Sequence, residues 1–95
     1  MTKTNKGMNN TTFAADFTAA FTRLDSGFNY VLLADLRVAL PQYDRQSFDN
    51  GLNDLRRAWL YSLDAADGRH VRLSKEQIDA GIRESGSMLV YCARR

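Results

Sequence analysis

The sequence holds one cysteine, one proline and one histidine, and no apolar run near the ~20 residues that cross a membrane. A single thiol, Cys92, excludes an internal disulfide and a cysteine metal cluster. The opening stretch MTKTNKGMNNTT carries two lysines but no apolar segment, so it does not read as a secretory signal. A cytoplasmic protein is the expectation. Glycine-rich phosphate loops, HExxH, EF-hand ligands and paired carboxylates are missing too. His70 has Asp67 close in sequence but no nucleophile to serve, so it reads as a polar loop residue. No enzyme activity, metal or cofactor is expected.

An excess of one charge is also lacking. The net charge is only +2, which does not announce a nucleic-acid partner. Its distribution says more. Residues 7–55 hold three arginines against six aspartates, whereas residues 56–95 hold eight basic groups against five acids. An anionic partner would be drawn to the C-terminal half.

What is present is enough for one domain: 95 residues, 44% hydrophobic, with five phenylalanines, four tyrosines and one tryptophan. Residues 1–11 lack periodicity and are expected to form a mobile tail ahead of a domain over 12–95. Thr12 is a candidate N-cap. After it Phe13, Phe17, Ala20, Phe21 and Leu24 recur at helical spacing, with Gly27 as the stop. Phe28-Asn29-Tyr30-Val31 suits a short strand. A second helix begins at Leu32 or Leu33, presents Leu33, Leu36, Val38 and Leu40, and stops before Pro41. Asp44, with Ser47 as the weaker choice, caps a third helix over 44–58. Its inward stripe is Phe48, Leu52 and Leu55, and Gly51 suggests a closely crossing neighbour. Trp59 is expected in the core.

Strands are expected at 60–63 and 88–93. The connection between them is long for a hairpin. Within it Ser74-Lys75-Glu76-Gln77 reads as a capping box for a short helix from Lys75 to Ala80, ended by Gly81. Cys92 reads as a small buried hydrophobe. Tyr61 and Tyr91, on paired strands, are expected to be partly exposed. Tyr43, Tyr61, Tyr91 and Trp59 are the candidates for stacking against single-stranded nucleic acid.

This order resembles a winged helix-turn-helix domain over 12–94. The resemblance rests on LLADLRVAL, the turn PQY, and DRQSFDNGLNDLRRAW followed by a strand. It implies an α+β fold: a three-helix core plus a two- to three-stranded wing, here with an elaborated, partly helical loop. It also implies DNA binding, as by a transcriptional regulator, with the third helix in the major groove and the wing on the backbone. Carried onto this sequence, the reading set is Arg45, Gln46, Asn50, Asn53, Arg56 and Arg57. The wing contributes Arg69, His70 and Arg72. Arg94 and Arg95 offer further phosphate contacts. Against this, Asp44, Asp49 and Asp54 make the third helix neutral, which weakens attraction to phosphates. A protein–protein interaction module on the same scaffold is therefore the alternative, and a homodimer is compatible with either.

Overall fold

The computed structural model describes residues 10–66 and 73–95. Eight elements follow in order: α1 (Asn10–Leu24), β1 (Tyr30–Leu32), α2 (Leu33–Ala39), α3 (Arg45–Arg57), β2 (Tyr61–Ala65), α4 (Lys75–Asp79), β3 (Ile82–Glu84) and β4 (Ser87–Arg94). The result is an α+β domain whose four strands form one antiparallel sheet. Residues 1–9, most of the expected tail, lie outside the described residues, as do Arg69, His70 and Arg72.

β4 pairs with every other strand. Cys92 faces Val31 of β1 on one side and Leu63 of β2 on the other. Leu89 likewise lies between Ala65 of β2 and Ile82 of β3. β1 and β3 therefore run end to end along one edge of β4, and β2 occupies the other.

The helices stack on this sheet through one apolar core. α1 supplies Phe13, Phe17, Ala20 and Phe21; α2 supplies Leu33 and Leu36; α3 supplies Phe48, Leu52 and Leu55. Val31, Tyr61 and Cys92 close it from the sheet. Each fully buried phenylalanine or leucine stabilises the fold by about 1.5–3 kcal/mol. Phe13 meets Phe48 edge-on at 5.7 Å and Tyr43 at 4.9 Å.

Local signals act where the sequence places several of them. The Asp44 carboxylate accepts the Ser47 N–H at 2.8 Å and starts α3. Ser74 and Gln77 make both bonds of the capping box. Leu40, before Pro41, leaves helical geometry and ends α2. α1 stops at Leu24, and the Asp25 carboxylate then accepts the N–H groups of Gly27 and Asn29. Gly27 holds φ +105° in that turn, a conformation glycine adopts without steric cost. Gly51 does have a close neighbour. A Cβ there would lie 2.5 Å from the Phe13 ring of α1.

Several expectations need correction. Thr12 does not cap α1, which begins at Asn10; Asn10 and Thr11 are as polar as Thr12, so cap chemistry does not single out one position. Val38 is not on the buried face of α2 but 80% exposed, because Leu33, Leu36 and Leu40 already span the contact with the core. Trp59 is not core either: it is 70% exposed. Tyr61 is buried where partial exposure was expected. Its ring packs on Phe17 and Phe21, and its hydroxyl lies 3.0 Å from Thr18 Oγ1. β3 was not anticipated. It forms a tight hairpin with β4 through Ser85 and Gly86, both at positive φ.

Candidate functional site

α3 carries most of the proposed contacts, and its residues divide by where they point. Phe48, Gly51, Leu52 and Leu55 are buried. One flank, Arg45, Asp49 and Arg56, is tied to neighbouring elements. The remaining stripe, Gln46, Asn50, Asn53 and Arg57, follows the i, i+4, i+7 spacing of a single helix face.

The tied flank is built from charge. Arg37 of α2 donates to Asp49 at 2.7 Å, with side chains only 16% and 27% exposed. The same guanidinium lies 4.5 Å from the Phe48 ring centroid and donates Nε–H to the Ala80 carbonyl. Arg45 donates to the carbonyls of Asp79 and Gly81, both at 2.8 Å. Two arginines thus satisfy the carbonyls at the end of α4, which a short helix leaves without partners of its own. Arg56 donates to Asn53 Oδ1 at 2.8 Å and to Glu84 of β3 at 2.6 Å. Arg45 and Arg56, chosen from sequence as DNA contacts, hold α4 and β3 against α3. Asp49, which looked like an unfavourable charge on a DNA-facing helix, is the partner of Arg37.

Gln46 and Asn50 are exposed and make no side-chain hydrogen bond among the described residues. Arg57 is paired with Asp54 at 2.6 Å but is 74% exposed. Exposed pairs of this kind contribute only ~0–1 kcal/mol, so the guanidinium exchanges partners readily.

The C-terminal end of α3 opens on a groove of about 470 Å³. Its lining includes Asn53, Arg56, Arg57 and Trp59, Ser62 and Leu63 of β2, Glu84 of β3, and Arg95. Trp59 N–H donates to Arg56 O and Leu60 N–H to Leu55 O, the paired bonds of a Schellman C-terminus. Trp59 therefore occupies the position where glycine is usual, with φ +64°. The Arg95 guanidinium lies 4.4 Å from the centroid of its ring. Sequence reasoning missed this site because the Arg-Arg-Ala-Trp stretch gave no sign that the tryptophan faces solvent.

A second exposed feature is aromatic. Residues 89, 91 and 93 alternate with the buried Val90 and Cys92, so they belong to the sheet face away from the helices. There Tyr30 meets Tyr91 edge-on at 5.2 Å and Phe28 at 6.1 Å. Phe28 is 72% and Tyr30 50% exposed.

Among the described residues, two titrating groups are shifted upward. Burial pushes the Cys92 thiol from 9.0 to about 12; the Arg56 charge lowers it and Asp64 raises it by smaller amounts. Burial also raises the Tyr43 phenol from 10.0 to about 12, helped by its hydrogen bond to Asp16 and that carboxylate's charge. Both groups are held in the protonated form by the fold. Their contribution is complete below the unfolded values and is lost as pH climbs through the folded ones. Urea midpoints should hold to about pH 9, then fall toward pH 12, and Tyr43→Phe/Cys92→Ala should flatten that decline. An unchanged slope in the double variant would count against these two residues as the source.

No group of three or more His, Cys, Asp or Glu able to hold a metal occurs among the described residues, and no described helix is long and apolar enough to cross a membrane. Compared with known families, curated proteins and solved structures, the chain matches none.

Proposed function

We propose that the chain is a small winged-helix protein that binds duplex DNA, with α3 directed to the major groove. The topology carries this reading. Antiparallel β4 lies between β1 and β2, behind α1 and the α2–turn–α3 pair, which is the arrangement a winged helix requires. α4 and β3 lie ahead of β4 in addition to these elements. On α3, Gln46 and Asn50 are the side chains left free to read base edges, and amides suit adenine. Arg57 supplies a phosphate contact at the far end of the same stripe. Arg69, His70 and Arg72, which follow β2 in the sequence, are the proposed wing.

Fluorescence anisotropy of a labelled mixed-sequence duplex, titrated at several salt concentrations, tests this. Binding should weaken steeply with salt, and Arg69→Ala/Arg72→Ala should reduce the log–log salt slope by about 2. Gln46→Ala/Asn50→Ala should leave the slope unchanged and reduce discrimination between sequences. No binding at low salt overturns the proposal.

One observation favours a second reading, a protein-contact module. Arg45 and Arg56 are engaged internally, while Phe28, just before β1, and Tyr30 of β1 stand exposed. A homodimer through that face would show concentration-dependent mass in sedimentation equilibrium, abolished by Phe28→Ser/Tyr30→Ser.

A further inference from the structure

Trp59 combines two unfavourable features. A large aromatic side chain sits in the left-handed region, which favours glycine. The same ring is 70% exposed, so burial does not offset that cost. Glycine would serve the Schellman turn better, and a polar residue would serve the surface better. The position suits a side chain used for contact.

The surroundings define the contact's chemistry. Arg95 packs on the indole and fixes the ring's orientation. Arg57 is the most exposed guanidinium of the α3 terminus, held only by a surface pair to Asp54. Arg56 is already neutralised by Glu84, which leaves Arg57 and Arg95 as the cations available to an anion. Asn53 accepts from Arg56 through Oδ1, so its amide NH₂ remains a donor. Ser62 of β2 adds a hydroxyl to the lining. A flat π surface, the paired Arg56 and Glu84, the two further guanidinium groups of Arg57 and Arg95, and two small polar groups border a groove whose volume falls within the range of small-ligand sites.

We infer that this groove binds a nucleotide unit, its base stacked on Trp59 and its phosphate held by Arg57 and Arg95. Stacking on an exposed aromatic ring is tolerant of base identity, and a guanidinium engages phosphate in two-pronged fashion. The unit is either a free mononucleotide or an unpaired nucleotide of a single strand. The site lies beyond the Gln46–Asn50 surface; it shares Arg57 with the proposed duplex contact but needs neither Gln46 nor Asn50.

Trp59 is the only tryptophan, so its fluorescence reports on the groove directly. The full chain is titrated with adenosine monophosphate, a short single-stranded oligonucleotide, a hairpin duplex, adenosine and inorganic phosphate. Saturable quenching by the monophosphate or the single strand is expected, with adenosine and phosphate each at least about tenfold weaker because each supplies half of the recognition. A strand binding about tenfold tighter than the monophosphate identifies a strand as the source; equal affinities identify the free nucleotide. By calorimetry, Trp59→Gly should bind about tenfold more weakly while its Tm stays level or rises, so lost binding is not lost folding. Arg57→Ala should weaken the monophosphate and leave adenosine unchanged. Failure of both the monophosphate and the strand to quench, or full affinity in Trp59→Gly, overturns the site. Quenching by the duplex alone also overturns it, and leaves duplex binding by α3 intact.

Discussion

Asp49→Ala should destabilise the fold by roughly 2–3 kcal/mol, although an aspartate facing outward on a helix ordinarily gives a change within ±0.5 kcal/mol. The reason is Arg37. Its guanidinium is only 16% exposed, stacks on Phe48, and has Asp49 as its carboxylate partner. Removing Asp49 leaves that charge half-buried with the Ala80 carbonyl as the acceptor left to it. A fully buried pair broken this way costs about 3–5 kcal/mol, and partial exposure here reduces the figure. Arg37→Met should cost less than Asp49→Ala, because it removes the charge and keeps the apolar stem over Phe48. Chemical denaturation of both variants and the pair gives the coupling directly. Equal, small effects would mean that the ion pair is surface-like and that Asp49 is free for another role.

Gly51→Val should destabilise by about 3 kcal/mol, the upper end of ordinary overpacking. Helix propensity alone predicts the opposite sign, since glycine is the poorer helix former by roughly 0.5 kcal/mol against valine. The Phe13 ring decides the matter: Cδ2 and Cγ would lie 2.5 and 2.7 Å from an added Cβ. Phe13 also packs on Phe17, Phe48 and Tyr43, so it has little room to retreat. Phe13→Leu combined with Gly51→Val should recover part of the loss, which a general effect of β-branching in the helix would not. Urea midpoints for the two single variants and the pair separate these cases.

Much of this architecture is legible in the sequence because its determinants are local. Asp44 caps α3 through a residue three places on, Ser74 and Gln77 bond each other, and Pro41 acts on its neighbour. The apolar stripes of α1 and α3 are equally plain, since helical spacing alone marks Phe17, Phe21, Phe48 and Leu52. The misread residues are those whose environment comes from afar. Tyr61 is buried because Phe17 and Phe21 of α1 reach it. β3 is three residues long and exists through its pairing with β4. Trp59 reads as core from its place at a helix–strand junction, but the Schellman turn aims it outward.

The candidate site was legible in part. Selecting Arg45 and Arg56 as surface cations follows from their places on α3. That they are engaged by Asp79, Gly81 and Glu84 depends on α4 and β3, whose packing no sequence spacing reveals. Gln46 and Asn50 remain as expected on the outer face, whereas Asn53 and Arg57 join a groove with Trp59 and Arg95 that charge and periodicity do not disclose.

The position of β4 has a consequence in time. Tyr30, Tyr61 and Ile82 each find their strand partner in residues 87–94. A chain emerging from the ribosome can coil α1, α2 and α3 early, because helices need only neighbouring residues. Its first three strands have no sheet to join until the last one appears. Nascent chains halted before Ser87 should therefore be helical yet sensitive to protease, and acquire resistance in a single step once β4 has cleared the exit tunnel.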